Sequence, residues 1–240
     1  LAHRMPTTGS MHTADARLDA QARAAVAALR HTLDAVFAQG APADRELAAF
    51  FAALAYLGSR DRRLIGAAVH AVLRWWGWVE GMVPSDSAAA ADEAWLPLLA
   101  AAVSLDPPEH PEFALRLARR LGFDESSMNA GLARPAAADR LAAVLRLLYP
   151  GAATPELNPL ALAPSWLGEE LAEPAWHARY AAALQTRPPV WLRLQGGDPA
   201  TVLDELKRAG LHPEPHATVP RAVRLADARP DLRALPVYRD

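Results

Sequence analysis

Hydrophobic residues recur every three or four positions along the first two thirds of the chain, and this period predicts helices. The third predicted helix shows it best, because Leu64, Ala68 and Val72 share one face. Glycine and proline, such as Gly40 and Pro42, separate the periodic segments. The predicted helices cover residues 15–38, 44–57, 59–80, 94–105, 111–121 and 136–149. Six helices with short connections predict a compact all-α bundle.

The hydrophobic period changes to two after Pro188, which predicts a strand. Val190, Leu192 and Leu194 alternate with other residues before a Gly-Gly turn. Asp198 is then a plausible N-cap for a helix that ends at glycine, and residues 221–226 (RAVRLA) alternate again. We therefore predict a β-α-β segment over residues 188–226, with residues 232–240 approaching a further strand.

A proline-rich connector separates these two regions and is the best candidate domain boundary. We predict a disordered tail over residues 1–13, a helical domain over 14–150, a connector with short helices (165–172 and 174–185) over 151–186, and the start of an α/β subdomain over 187–240. The fold class is mainly α. The α/β part is too small to bury much surface by itself, so we expect it to contact the bundle or downstream sequence.

Composition narrows the possible functions. The chain has 240 residues, a formal net charge of −2 and no cysteine, which excludes disulfides and thiolate chemistry within it. No uncharged run approaches the ~20 apolar residues that span a bilayer, and the N-terminus lacks the apolar segment of a secretory signal. We expect a cytoplasmic protein with no membrane partner.

Familiar catalytic and cofactor motifs are missing from the sequence. There is no GxGxxG, no phosphate-binding P-loop and no HExxH. The glycine pair in GGD (196–198) fits a strand–helix turn better than a phosphate cradle, and His212 and His216 lack further metal ligands. We assign no catalytic, cofactor-binding or metal-binding residue.

Two arginine sets are candidate RNA contacts. The motif GSRDRR (58–63) puts Arg60, Arg62 and Arg63 at a helix start, with Arg74 farther along the same helix. Guanidinium groups hold phosphate bidentately, and helix N-termini favour anions. The other interpretation is a solvated face with internal Asp–Arg pairs. The second set, in the α/β part, comprises Arg193, Arg221 and Arg224, and the alternation places Arg193 on an open sheet face.

Three tryptophans follow the first arginine set. Helical spacing predicts that Trp76 is in the core, whereas Trp75 or Trp78 is either a stacking platform for a base or part of an interface.

Several motifs of the second region follow one another in a set order: RPPVWLRLQ (187–195), a helix ending at Gly210, PRAVRL (220–225) and LPVYRD (235–240). In this order they resemble the RsmB/NOP (Sun-type) RNA cytosine-C5 methyltransferases. The first motif resembles that family's Pro-Pro-x-x-x-Arg-x-Asn strand, with Gln195 in place of asparagine. PSWLGEEL (164–171) is similar to its connector, and residues 43–83 resemble the NusB-like helical domain at the N-terminus of RsmB-type enzymes.

The resemblance implies an N-terminal fragment of a methyltransferase that uses S-adenosylmethionine to modify 16S ribosomal RNA. The cofactor site and the cysteine nucleophile of that family would lie in a missing C-terminal catalytic domain, so we expect this chain to bind no cofactor and to be inactive alone. One alternative is a stand-alone NusB-like RNA-binding module in transcription or ribosome assembly. Another is a protein-interaction bundle with an apolar patch around Trp75 and Trp78.

Overall fold

The computed structural model describes residues 8–106, 111–153, 155–164, 166–170, 173–186 and 189–225, together with residues 232 and 235. These residues are mainly helical, with one small antiparallel sheet. The chain divides into two compact units, Leu1–Gln185 and Thr186–Asp240. The connector therefore belongs to the first unit. No helix among the described residues is long and apolar enough to cross a membrane.

The first unit is a bundle of helices joined by short connections. In chain order they are α1 (Thr8–Gln39), α2 (Ala43–Ala53), α3 (Ser59–Arg74), α4 (Trp76–Val79), α5 (Leu96–Leu105), α6 (Pro111–Arg120), α7 (Glu125–Leu132), α8 (Ala137–Leu148), α9 (Leu167–Glu170) and α10 (Pro174–Leu184). Short 3₁₀ turns precede α5 at Asp92–Trp95 and connect α8 to α9 at Pro159–Leu162.

The helix α5 lies at the centre of this bundle. Its apolar residues point in every direction, and Leu98, Leu99 and Leu105 are all fully buried. A helix that is hydrophobic all round must be surrounded by others. It packs against α3, α6 and α8, whose single apolar stripes face it.

Several helix boundaries differ from the prediction. α1 begins at Thr8, so it includes residues 8–13, which we had placed in a disordered tail; residues 1–7 lie outside the described part. α2 ends at Ala53, four residues early. The helix α7 was not predicted at all, although Asp124 caps it by accepting a hydrogen bond from the Ser127 amide (2.8 Å).

The connector is fastened to the bundle by a close backbone approach. A Cβ at Gly77 in α4 would overlap the carbonyl group of Ala161, so this position has room only for glycine. The neighbouring Trp78 indole Nε1–H donates to the Asn158 carbonyl (2.8 Å). Residues that looked like a linker in the sequence therefore pack as part of the first unit.

The second unit contains a three-stranded antiparallel sheet and one long helix. Its elements are β1 (Val190–Arg193), α11 (Pro199–Arg208), β2 (Pro213–Pro215) and β3 (Ala222–Leu225). The strand order is β1-β3-β2, with β3 antiparallel to both neighbours. β1 and β2 are thus parallel to each other on either side of β3, which is a split β-α-β unit.

The predicted β1, α11 and β3 are present, whereas β2 was missed. Its sequence, Pro-Glu-Pro, lacks any strand pattern, and prolines are tolerated because β2 is an edge strand. α11 packs on one face of the sheet, where Leu206, Val223 and Leu225 are buried. The segment predicted to approach a further strand lies mostly outside the described residues.

Candidate nucleic-acid interface

The first arginine set is not a uniform cationic surface. Arg60 and Arg63 are exposed in the first turns of α3. Arg62 instead turns back to the loop that follows α2, where its Nε donates to the Leu57 carbonyl (2.8 Å) and its Nη2 to the Leu54 carbonyl (3.4 Å). Arg62 therefore satisfies backbone acceptors near a helix end. Of the three arginines in this motif, Arg60 and Arg63 are the exposed ones.

Arg74 lies in an internal ion pair. Its Nη1 donates to Oδ2 of Asp106, and the Trp75 indole Nε1–H donates to Oδ1 of the same carboxylate (2.9 Å). The side chains of Arg74 and Asp106 are 19% and 9% exposed. This arginine was a candidate RNA contact, but its position gives it a structural role.

Arg140 approaches the same end of α5 from α8. It donates to the carbonyls of Ser104 (3.0 Å) and Leu105 and to those of the loop before α8. Burial lowers the pKa of the Arg140 guanidinium, and the charge of Asp106 opposes that shift. Two arginines and one carboxylate thus join α3, α5 and α8.

Trp75, and not Trp76, is the most deeply buried of the three tryptophans. Trp75 is buried at 6% exposure, whereas Trp76 is half-buried and stacks on Phe37 with ring centroids 4.5 Å apart. Trp78 packs against Trp75 (5.3 Å). α3 ends at Arg74, and the non-helical backbone of Trp75 (φ −100°, ψ 16°) breaks the helical phase on which the prediction depended. The expectations of a base platform or an exposed patch at Trp75 are therefore wrong.

The second arginine set surrounds an open sheet face. Alternation puts Trp191 and Arg193 of β1 on the side of the sheet opposite α11, and both are exposed. On β3, Ala222 and Arg224 share that side, because the buried Val223 lies between them. The antiparallel register then aligns these residues in two rows that cross the sheet.

The first row contains Trp191, Arg224 and Glu214. Arg224 lies directly opposite Trp191 on one side and Glu214 on the other. Its Nη1 donates to Glu214 Oε2 (3.2 Å), and both side chains are about half exposed. A surface pair of this kind contributes little to stability, so Arg224 is available to an anionic ligand.

The second row contains Arg193, Ala222 and His216. The register pairs Arg193 with Ala222, and the His216 amide donates to the Ala222 carbonyl (2.8 Å), which extends the ladder beyond β2. Because Ala222 is small, the rings of Trp191 and His216 meet above the central strand with centroids 5.3 Å apart. The rows therefore form a surface on which the paired rings of Trp191 and His216 lie next to Arg193 and Arg224.

Arg221 extends this surface at the start of β3. Its Nη2 donates to the Gly197 carbonyl (2.7 Å), and its backbone φ of 62° lies in the left-handed region, which is unfavourable for a residue with a Cβ. Together with Trp191, Arg193 and His216 it lines an open groove with a volume of about 1100 Å³. Two arginines, Arg193 and Arg221, are among its lining residues.

The glycine pair beside the groove forms the predicted turn. Asp198 caps α11 by accepting from the Thr201 amide (3.1 Å), and this hydrogen bond, together with that from the Thr201 hydroxyl, lowers the pKa of the Asp198 carboxyl. Since Arg221 occupies the Gly197 carbonyl, the turn has a structural role. In the part of the chain that the structure describes, no three His, Asp or Glu side chains form a metal site.

Two residues of this surface, Trp191 and His216, were not recognised in the sequence as site residues. The alternation around Trp191 did place its ring on the open face, and that was the available signal. The position of His216 depends on the register of β2, which sequence pattern does not reveal. No protein-family model matches this chain, and no curated protein matches it either.

Proposed function

We propose that this chain is the RNA-binding part of an S-adenosylmethionine-dependent ribosomal RNA (cytosine-C5) methyltransferase of the RsmB/NOP type, acting in the cytoplasm on 16S rRNA. In this proposal the first unit is a NusB-like domain, and the second unit positions RNA. The order of the family-like motifs supports the enzyme class. The open sheet face supports the RNA partner, and it is the observation that carries the proposal.

The charge distribution on that face suits a phosphate backbone. Arg193 and Arg221 line the groove, Arg224 lies on the same sheet face, and Glu214 is the one acidic residue in the two rows. The whole chain has a net charge of −2, so this local excess of positive charge is not an effect of composition. Arginine forks bind phosphate oxygens bidentately.

The aromatic rings distinguish this face from a general anion site. RNA-recognition modules bind unpaired bases on the open face of a sheet through aromatic side chains. Here Trp191 projects from one outer strand of such a face and His216 from the end of the other, and their ring centroids are 5.3 Å apart. Arg60 and Arg63 on the first unit are secondary candidate contacts.

Methyl transfer itself is not assigned to residues of this chain. The resemblance implies a cysteine thiolate that adds to C6 of cytosine, and the chain contains no cysteine. The glycine pair at residues 196–197 forms a strand–helix turn, and Arg221 donates to the Gly197 carbonyl. We assign this turn no part in binding S-adenosylmethionine. Within the proposal, a catalytic domain outside this sequence supplies both functions.

The test is binding of fluorescent 16S rRNA fragments, measured by anisotropy across a salt series. Each phosphate contact to single-stranded RNA contributes about −0.7 to the slope of log K against log salt. We expect the double variant Arg193→Gln, Arg224→Gln to reduce the slope by about 1.4. Lys207→Gln removes a charge from α11, which packs on the other face of the sheet, and should leave the slope unchanged. No binding at low salt would refute the RNA role.

A further inference from the structure

We infer that the open sheet face binds one unpaired nucleotide of single-stranded RNA, with the base stacked on Trp191 and a neighbouring phosphate on Arg193. This inference rests on the proposed function, because it takes RNA as the ligand. It specifies that the RNA is single-stranded, and that Trp191 is the residue that selects this form.

The exposure of Trp191 is the first observation. Half of its surface (50%) is open to solvent, although the ring is large and apolar. It projects from a paired strand, so its backbone is held by the sheet. A base that stacks on such a ring gains contact area whatever its identity, because every base has a π-face.

His216 fixes the other side of this platform. Its Nδ1 accepts hydrogen bonds from the amides of Thr218 (3.1 Å) and Val219 (3.0 Å). These two hydrogen bonds fix the orientation of the imidazole ring. The imidazole is therefore held rigidly against Trp191 before any ligand arrives, which lowers the entropic cost of binding.

The neighbouring charges match the backbone of a single strand. Arg193 lies two residues from Trp191 on the same face of β1, about 7 Å away along the strand. Arg221 borders the groove next to it. A base in this position and its flanking phosphate can therefore be held together, and the phosphates compensate the positive charge of both arginines.

The arrangement excludes duplex RNA at the aromatic position. The faces of paired bases are stacked on each other inside a helix, and protein side chains reach them only in loops, bulges and single strands. A duplex could contact the arginines through its phosphates but could not contact the ring of Trp191. Preference for single strands is therefore the property that distinguishes stacking from simple charge attraction.

The experiment compares a single-stranded oligoribonucleotide with the duplex it forms with its complement, on the full chain at fixed salt. Trp191→Ala should weaken single-strand binding about tenfold and leave duplex binding unchanged, and Trp191→Phe should retain most of the affinity. The matched control is Trp176→Ala. Trp176 is equally exposed (49%) on α10, but its ring already carries the Arg179 guanidinium at 5.0 Å. This variant should bind like the wild type.

A second measurement tests the contact directly. Replacing single nucleotides of the oligonucleotide by abasic sites should identify one position whose loss weakens the wild type about tenfold but leaves Trp191→Ala unaffected. Circular dichroism verifies that each variant is folded. Equal loss of affinity for both RNA forms, or an abasic scan with no such position, would overturn the stacking inference while the proposed RNA binding stands. No binding of either form would instead refute the proposed function.

Discussion

Replacing Asp106 should lower the free energy of unfolding of the first unit more than any surface substitution does. This carboxylate accepts hydrogen bonds from Arg74 and from the indole of Trp75, and only 9% of its side chain is exposed. Asp106→Ala leaves the Arg74 guanidinium without this partner in a largely buried site. Removing one member of a buried ion pair typically costs about 3–5 kcal/mol.

The destabilisation by Asp106→Ala also includes the loss of a second hydrogen bond. The buried Trp75 N–H would also lose its acceptor, and an unsatisfied buried donor costs about 1–3 kcal/mol. The two losses share one carboxylate and are not additive, so we expect about 4 kcal/mol in total. For a unit of this size that lowers the midpoint of thermal unfolding by about 10 °C.

The assay is urea and thermal unfolding followed by circular dichroism at 222 nm, which reports chiefly on the helical first unit. Asp106→Asn keeps an oxygen for Trp75 but loses the charge, so it should be less destabilising than Asp106→Ala. The double variant Arg74→Met, Asp106→Leu removes both charges together and should also be more stable than Asp106→Ala. A cost below about 1 kcal/mol for Asp106→Ala would show that this carboxylate does not join α3 to α5.

Three further substitutions test other features. Gly77→Ala places a methyl group against the Ala161 carbonyl and should cost about 1–3 kcal/mol in urea unfolding, whereas Gly81→Ala, where a Cβ meets nothing within 4 Å, should not. Hydrogen bonds from Thr201 lower the pKa of Asp198 below the ordinary 3.8, so its cap contributes stability above pH 3.8 and loses it as the pH falls through the lowered pKa. Asp198→Asn has no carboxyl to titrate, so it should lack this loss when its free energy of unfolding at neutral and acidic pH is compared with that of the wild type. Arg221→Gly removes a cation and also removes the backbone strain of a residue with a Cβ at a left-handed φ. Anisotropy should therefore show several-fold weaker RNA binding, with no loss of stability. Unchanged affinity would exclude Arg221 from the interface.

The sequence was most informative where one short-range pattern determined the outcome. The stripe of α3, the alternation of β1 and the Asp198 cap each depend on neighbours within about ten residues, and the structure has all three. The prediction was wrong for Trp75 because a break in helical phase of a single residue moved the ring inward. Periodicity assumes continuous helix and cannot detect such a break.

Local sequence patterns also did not reveal which groups within the chain each arginine and each strand bonds to. Arg62 and Arg74 are as polar in sequence as Arg63, but the first turns back to carbonyl groups and the second pairs with a carboxylate 32 residues away. β2 was missed for a similar reason, since its pairing with β3 comes from register and not from its own composition. Tertiary contacts thus decide which arginines remain exposed.

The strand order of the second unit determines when its sheet can form during synthesis of the chain. The central strand, β3, is the last of the three to leave the ribosome, and both β1 and β2 hydrogen-bond to it. Neither edge strand therefore has its neighbour until Leu225 has emerged, whereas the upstream helices can already assemble from contacts that are closer in sequence. The sheet, and with it the surface that holds Trp191, can therefore form only after β3 has been synthesised.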